Sequence, residues 1–267
     1  MSKRKKPIGI FDSGVGGLTV FKEVINFLPH EDIIYLGDTA RIPYGTRSPQ
    51  TIIRYSLQNA SFLLRQDIKL LVVACNTSSA VSLPQLQQEN EIPVLGVIEP
   101  GAKRASEVTK NRRVGVIGTE ATVRSRAYER AIQGIDHQIK VISRACPLFV
   151  PLAEEGWVNN RVARLTAQSY LHPLREEMID TLVLGCTHYP LLEEVIKETM
   201  GEEVCLVNSA KETAKEVKRI LEEKDLTNQK TREGTHKFFV TDNAERFIKV
   251  GEIFLGKKLQ TVEEIER

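Results

Sequence analysis

Two cysteines of this 267-residue chain stand where a thiol could take part in chemistry. Cys75 ends an apolar run and precedes Asn76-Thr77, and Cys186 ends a similar run and precedes Thr187-His188. The thiolate is the reactive form of cysteine, and a helix N-terminus with nearby hydrogen-bond donors lowers the thiol pKa from about 8.5 toward neutrality. Both cysteines lie just before a predicted helix. We therefore expect reactive thiols at both positions.

The segments around the two cysteines resemble each other, which favours one reaction type. Residues 71–77 and 182–188 each form an apolar strand that ends in Cys and is followed by small polar groups. A nucleophilic mechanism needs a single cysteine with a base beside it. Two thiols that face each other across a cleft can remove a proton from one face of a carbon and return one to the other. The pattern therefore favours racemisation or epimerisation.

Polar groups also follow other predicted strands. Asp12 and Ser13 open the turn 12–17, in which the third glycine of a G-x-G-x-x-G dinucleotide motif would fall at Thr19. We expect this turn to bring the backbone close to a small ligand, with Asp12 accepting from an ammonium group and Ser13 fixing an oxygen. The alternative is that Asp12 only caps the next helix.

The other two cysteines and the lysines offer no comparable site. Cys146 and Cys205 have no such neighbouring donors, and we interpret both as core residues. The four cysteines form no C-x-x-C pair, so neither a zinc site nor disulfides are expected. No lysine stands in a context typical of a Schiff base. Hydrogen-bond donors would therefore have to stabilise a carbanion.

Apolar runs alternate with amphipathic stretches along almost the whole chain. Strands are predicted at 7–13, 32–38, 69–75, 93–98, 113–118, 138–146, 181–186, 204–208 and 237–242. Helices are predicted at 20–28, 50–65, 78–89, 122–132, 161–177, 191–200, 210–223 and after the last strand. This order predicts an α/β protein whose parallel sheets are covered by helices.

The internal resemblance predicts two similar domains, each with a mostly parallel sheet flanked by helices, and an active site in the cleft between them. The final strand and its flanking helices are too few to form a domain alone. We therefore expect a discontinuous first domain of residues 1–98 plus 208–267 and a second domain of residues 99–207.

Composition excludes several classes of protein. Lys and Arg number 37 against 35 Asp and Glu, a formal net charge of +2, which does not suit a nucleic-acid clamp. The longest apolar run, 70–75, is far shorter than the roughly 20 residues that cross a bilayer. No cleavable apolar leader follows the basic N-terminus. We expect a cytoplasmic protein with a small-molecule substrate and with neither nucleic acid nor membrane as partner.

The chain resembles the glutamate racemases of the cofactor-independent aspartate/glutamate racemase superfamily over about residues 7 to 220. The segments that carry the resemblance are 9–17 (GIFDSGVGG), 37–45 (GDTARIPYG), 74–77 (ACNT), 96–101 (GVIEPG), 118–119 (GT) and 185–190 (GCTHYP). The combination of segments is highly specific to this family, although each segment alone would be only modest evidence.

The resemblance implies a cofactor-free interconversion of L- and D-glutamate, with no metal and in a homodimer. It implies that Cys75 exchanges the α-proton with D-glutamate and Cys186 with L-glutamate, assisted by Asp12, His188 and Glu154. Glu155 is adjacent to Glu154 and could take the same role, so the choice between these two residues stays open. The substrate contacts that it implies are Asp12, Ser13, Tyr44, Gly45, Asn76, Thr77, Thr119, Thr187 and His188. In the family, D-glutamate enters peptidoglycan, which implies a bacterial host.

Two other hypotheses remain open at this point. A two-domain binding protein could close on an acidic amino acid without turning it over, although binding alone does not need reactive sulfur. A thiol hydrolase would need only Cys75 or Cys186 as its nucleophile, so the other cysteine could be replaced.

Overall fold

The computed structural model describes residues 3–259 and 261–266 and contains two parallel sheets. The strands are β1 (Ile8–Asp12), β2 (Ile33–Gly37), β3 (Leu70–Val73), β4 (Val94–Gly96), β5 (Arg113–Gly118), β6 (Lys140–Ala145), β7 (Thr181–Gly185), β8 (Cys205–Asn208), β9 (His236–Val240) and β10 (Val262–Glu264). The first sheet has the order β10-β9-β2-β1-β3-β4 and the second β6-β5-β7-β8. Each pairing is parallel, and β1, β2, β3 and β7 are buried along their whole length, as their apolar sequences predict.

Helices cover the sheets. They are α1 (Leu18–Phe27), α2 (Pro49–Leu64), α3 (Asn76–Glu89), α4 (Ile98–Val108), α5 (Glu120–Ser125), α6 (Ala127–Ile135), α7 (Phe149–Glu154), α8 (Arg161–Glu176), α9 (Glu193–Met200), α10 (Ser209–Glu223) and α11 (Ala244–Leu255). The predicted fold class, α/β with two parallel sheets flanked by helices, is confirmed.

Some elements differ from the prediction. The single helix predicted at 122–132 is two helices, because Arg126 between them adopts a left-handed conformation with φ 54°. The prediction missed α4, which lies in a Gly- and Pro-containing stretch, and the short helix α7. It also missed β10, a three-residue edge strand.

The C-terminal part of the chain returns to the first sheet. Strand β9 pairs with β2, and β10 pairs with β9. Phe238 on β9 packs against Phe21 with ring centroids 5.1 Å apart, and Phe247 on α11 packs against Tyr35 at 5.9 Å. Helices α4 and α10 contact each other where the chain passes between the sheets. The domain boundaries at 98/99 and 207/208 stay a prediction.

The helices also answer the question of a membrane span. Among residues 3–259 and 261–266, no helix has both the length and the apolar character needed to cross a bilayer.

Candidate active site

The carboxyl ends of β1, β3, β5 and β7 lead into one cavity of about 330 Å³ between the two sheets. Helix N-termini and loop amides point outward at such strand ends and favour ligand binding. The predicted site residues that line the cavity are Ser13, Tyr44, Gly45, Cys75, Asn76, Thr77, Thr119, Glu154, Cys186, Thr187 and His188. Residues that are up to 175 positions apart in the chain therefore meet in one small space.

Cys75 is the N-cap residue of α3 and is buried, with 5% of its surface exposed. Its Sγ lies 3.6 Å from Ser13 Oγ. Burial and the nearby Asp12 carboxylate raise the thiol pKa to about 11, despite hydrogen bonds with Ser78 and Ser13 that oppose the shift. The expectation of a lowered pKa at Cys75 was therefore wrong. The cost of burying a charge outweighs the stabilisation from the helix N-terminus.

Cys186 has a different environment. Its Sγ lies 3.8 Å from His188 Nδ1, and His188 Nε2 lies 3.2 Å from Glu154 Oε1. Burial by itself lowers the pKa of His188, but the hydrogen bonds to Cys186 and Glu154 outweigh it and raise the pKa to about 10. The ring therefore carries a positive charge at neutral pH, and it lies against the sulfur of Cys186.

Glu154, rather than Glu155, reaches the cavity. Glu154 lines it, and its other oxygen lies 3.4 Å from Arg246 Nη2, whereas Glu155 is exposed. Burial raises the pKa of Glu154, but His188 and Arg246 outweigh this and lower it below its usual value. Glu154 is thus a carboxylate that holds His188 in place.

Asp12 lies behind the cavity wall instead of lining it. The side chain is fully buried, and its Oδ2 accepts a hydrogen bond from the Gly14 backbone N–H at 2.9 Å. Helix α1 starts only at Leu18, with Gly17 as its N-cap residue. Burial raises the pKa of Asp12, and Oδ1 has no hydrogen-bond partner in the described part of the chain. Any ligand contact by Asp12 would require the wall to move.

Asn76 and Thr77 present hydrogen-bonding groups at the start of α3. Thr77 Oγ1 lies 2.9 Å from Thr119 Oγ1 and 3.2 Å from Thr122 Oγ1, across the gap between the sheets. Asn76 Oδ1 accepts a hydrogen bond from the Tyr128 hydroxyl at 2.7 Å. Sequence reasoning missed Thr122 and Tyr128, because neither follows the end of a predicted strand or falls at a substrate-contact position that the resemblance implies.

The loop after β2 forms another wall of the cavity. The Tyr44 hydroxyl donates to the fully buried Asp38 carboxylate, so it is not free to contact a ligand. Asn59 Nδ2 donates to the same hydroxyl at 3.1 Å. The ring of Tyr44 and the backbone at Gly45 remain available to the cavity.

Gly16 allows the two halves of the site to approach each other. A Cβ atom on Gly16 would lie 2.3 Å from Thr187 Oγ1 and 2.5 Å from the His188 ring. Thr19 Oγ1 donates to Thr187 O at 2.9 Å just beyond this contact. Gly16 therefore packs against protein, whereas Ser13, Gly14 and Val15 of the same turn line the cavity, where the sequence predicts a close approach to a ligand.

Several further residues line the cavity without having been predicted. These are Gly14, Val15, Ile42, Pro43, Thr46, Glu120, Pro147, Val150 and Pro151. The last three belong to the segment that follows β6, so the rule that ligands bind at strand carboxyl ends could have identified them. They give the cavity an apolar rim.

The remaining cysteines differ from each other. Cys146 is fully buried in the apolar core beside the second sheet, as predicted, but Cys205 is exposed and not a core residue. Cys205 begins the edge strand β8, where alternate side chains face outward. All four cysteines are free thiols, and the described residues contain no group of three or more side chains that could hold a metal ion. A larger groove of about 1020 Å³ has no thiol or imidazole in its lining, so we assign chemistry to the smaller cavity.

Comparison with known proteins identifies the family and several relatives of this chain. Residues 17–217 match the family described as Asp/Glu/Hydantoin racemase. The chain is 63% identical over 260 residues to a glutamate racemase from Geobacter metallireducens, a match that covers 97% of this chain and 96% of the relative.

Solved structures give the same picture. The structure of glutamate racemase from Francisella tularensis in complex with D-glutamate superposes with a TM-score of 0.92 at 40% identity, covering 98% of both chains. The Escherichia coli glutamate racemase, in complex with L-glutamate and the activator UDP-MurNAc-ala, superposes with a TM-score of 0.77 at 31% identity, again over 98% of both chains.

Proposed function

Because this chain belongs to the Asp/Glu/hydantoin racemase family, we propose that it interconverts L-glutamate and D-glutamate. The observation that carries the proposal is the presence of Cys75 and Cys186, from different sheets, in the wall of one cavity of about 330 Å³. A cavity of this size suits a small amino acid, and binding alone would not need two thiols.

The proposed mechanism uses the two thiols as opposed proton carriers. From L-glutamate, the Cys186 thiolate takes the α-proton, and the electron pair of the broken C–H bond moves toward the carboxylate. The Cys75 thiol then gives its proton to the opposite face of the carbon and forms D-glutamate. The raised pKa of Cys75 and the positive charge of His188 support this starting distribution of protons. The reverse reaction begins with the opposite distribution.

Hydrogen-bond donors would stabilise the charge that develops on the substrate carboxylate. Asn76, Thr77 and Thr187 line the cavity and are suited to this role. One preorganised donor typically stabilises a transition state by about 3 kcal/mol, and enzymes lower barriers by roughly 8 to 23 kcal/mol. Several donors must therefore act together. Glu154 would keep His188 charged and oriented next to Cys186.

The test of the proposal is turnover of pure D-glutamate by the purified chain, with no cofactor added. In deuterated water, the product should carry deuterium at the α-carbon from the first turnovers, while recovered substrate gains little. Equal early labelling of both enantiomers would indicate a single shared base and contradict the two-thiol mechanism.

Serine variants test each thiol separately. We expect Cys75→Ser and Cys186→Ser each to lower kcat by at least about 1,000-fold, because serine is a far weaker acid than cysteine. The exposed Cys205→Ser is the matched control and should keep wild-type kcat. Activity that survives in either of the first two variants would overturn the mechanism, and a covalent adduct detected by mass would point to a thiol hydrolase.

In the cell, we place the reaction in the cytoplasm and assign its product to peptidoglycan synthesis. The four free thiols support a reducing compartment. The E. coli relative is described with UDP-MurNAc-ala as an activator, which supports a link to cell-wall precursors. Expression of this chain should relieve the D-glutamate requirement of a bacterial strain that lacks its own racemase, and failure of the active enzyme to do so would contradict the role.

A further inference from the structure

The side chain that orients Asn76 lies outside the cavity. Tyr128, on α6, is 2% exposed, and its hydroxyl donates to Asn76 Oδ1 at 2.7 Å. Asn76 directly follows Cys75 and lines the cavity. The contact joins α6, beside the second sheet, to α3, beside the first.

The hydrogen bond leaves the amide nitrogen of Asn76 free. Asn76 Nδ2 is buried and has no hydrogen-bond partner in the described part of the chain. A buried donor without a partner costs about 1–3 kcal/mol, so such a group indicates a ligand that accepts from it. Burial also raises the pKa of Tyr128 far above its ordinary value, so the hydroxyl keeps the proton that it donates.

The ring of Tyr128 also contacts the strand that carries the other thiol. A Cβ atom on Gly185 would lie 3.0 Å from Tyr128 Cε2, and Gly185 directly precedes Cys186. One side chain therefore touches the residue after Cys75 and the residue before Cys186.

We propose that Tyr128 is a positioning residue that holds the Asn76 amide with its NH₂ group toward a substrate carboxylate in the cavity. This rests on the proposed function, since glutamate supplies the carboxylate. In the opposite orientation, Asn76 would donate to Tyr128, whose hydroxyl would turn toward the neighbouring Ser209. The Asn76 carbonyl would then face the carboxylate and repel it.

The central experiment is a double-mutant cycle on glutamate racemisation. We expect Tyr128→Phe to lower kcat/KM about 10-fold, mainly through a higher KM, and Asn76→Ala to lower it about 100-fold. If Tyr128 acts through Asn76, adding Tyr128→Phe to Asn76→Ala should change kcat/KM by less than about two-fold. If the effects of the two substitutions on kcat/KM multiply instead, Tyr128 supports the fold in general and the proposal is overturned.

Two further variants keep the test clear. Asn76→Asp preserves the acceptor for Tyr128 but faces the substrate with a carboxylate oxygen, so we expect a KM raised about 100-fold. The melting temperature should fall as well, because the new carboxylate is buried. An unchanged KM would indicate the opposite amide orientation. Tyr170→Phe makes the same chemical change at a tyrosine whose hydroxyl accepts a hydrogen bond from the Leu148 backbone N–H, outside the cavity lining, and it should leave kcat/KM unchanged.

A spectroscopic measurement separates this proposal from the proposed function. In wild-type protein, the ¹⁵N side-chain amide of Asn76 should give one sharp pair of NMR signals, which Tyr128→Phe shifts and broadens. Unchanged signals overturn the positioning role, whatever the activity. If the wild-type chain does not invert glutamate while these signals do respond, the proposed substrate fails and the hydrogen bond between Tyr128 and Asn76 stands.

Discussion

Charge and burial distinguish two cysteines whose local sequences are alike. Burial and the nearby Asp12 raise the pKa of Cys75 to about 11, whereas His188 lies beside Cys186 and is positively charged. A reaction that moves one proton in and another out needs one protonated and one ionised thiol. The residues around Cys75 and Cys186 differ in charge in the way that the proposed reaction needs.

Gly16 gives a prediction about packing at the site. We expect Gly16→Ala to lower kcat/KM about 100-fold and to destabilise the fold by about 1–3 kcal/mol, because its Cβ would displace Thr187 and His188. Kinetics and thermal melting check this. Gly134→Ala is the control, since a Cβ there meets nothing within 4 Å and an alanine stabilises a helix by about 0.5–1 kcal/mol. Wild-type activity in Gly16→Ala would contradict the close packing.

His188 gives a prediction about pH. Its pKa of about 10 in the folded state exceeds the ordinary value of 6.5, so its protonation stabilises the fold fully below about pH 6.5, and this stabilisation is lost as the pH rises through 10. We expect the melting temperature of wild type to exceed that of His188→Gln by a margin that is at least about 3 °C larger at pH 6 than at pH 10.5. A constant margin would show that the ring is neutral when buried.

At the scale of elements, the loop between β2 and α2 depends on a single carboxylate. Asp38 Oδ1 accepts from Arg41 Nε at 2.9 Å and from Thr241 Oγ1 at 3.0 Å, and the other oxygen accepts from Tyr44. No residue of the short turn 39–41 is buried, whereas in the turn 44–46 the ring of Tyr44 packs against Tyr55 with centroids 5.7 Å apart. Asp38 therefore fixes the wall of the cavity formed by residues 42–46.

Replacing Asp38 should loosen this wall. We expect Asp38→Ala to destabilise the protein by about 3–5 kcal/mol, because it leaves buried donors unpaired, and to raise KM at least about 10-fold. Denaturant unfolding and steady-state kinetics measure both effects. The matched control is Glu198→Ala, which removes a half-exposed ion pair with Arg164 and should cost at most about 1 kcal/mol. An effect as small as the control would contradict the role of Asp38.

At the scale of the whole molecule, the C-terminal segment completes the first half of the fold. Strand β9 covers the edge of β2, and α11 brings Arg246 to Glu154 and Phe254 against the His188 ring, with centroids 5.2 Å apart. The last helix of the chain therefore supports a pair of residues in the other half. The homodimer implied by the resemblance stays a prediction that light scattering can check.

Truncation tests the importance of this segment. We expect a chain that ends after Lys224 to lose cooperative melting and all turnover, because Phe21 and Tyr35 lose their aromatic partners and β2 becomes an exposed edge. Calorimetry and size-exclusion chromatography measure this. A chain that ends after Leu259 loses only the short strand β10 and should still melt cooperatively. A cooperative, active product of the first truncation would show that the rest folds alone.

Apolar periodicity and polar strand ends are local patterns, and they predicted the α/β class and nine of the ten described strands. The residues together with the family resemblance named twelve site residues, and eleven of these, all but Asp12, line the cavity. The tertiary structure decided the raised pKa of Cys75, the choice of Glu154 over Glu155 and the contacts made by Tyr128 and Arg246. It also placed Cys205 at the surface. The physical reason is that burial and electrostatic interactions depend on neighbours in space, and residues such as Asp38 and Thr241 are 203 positions apart in the chain.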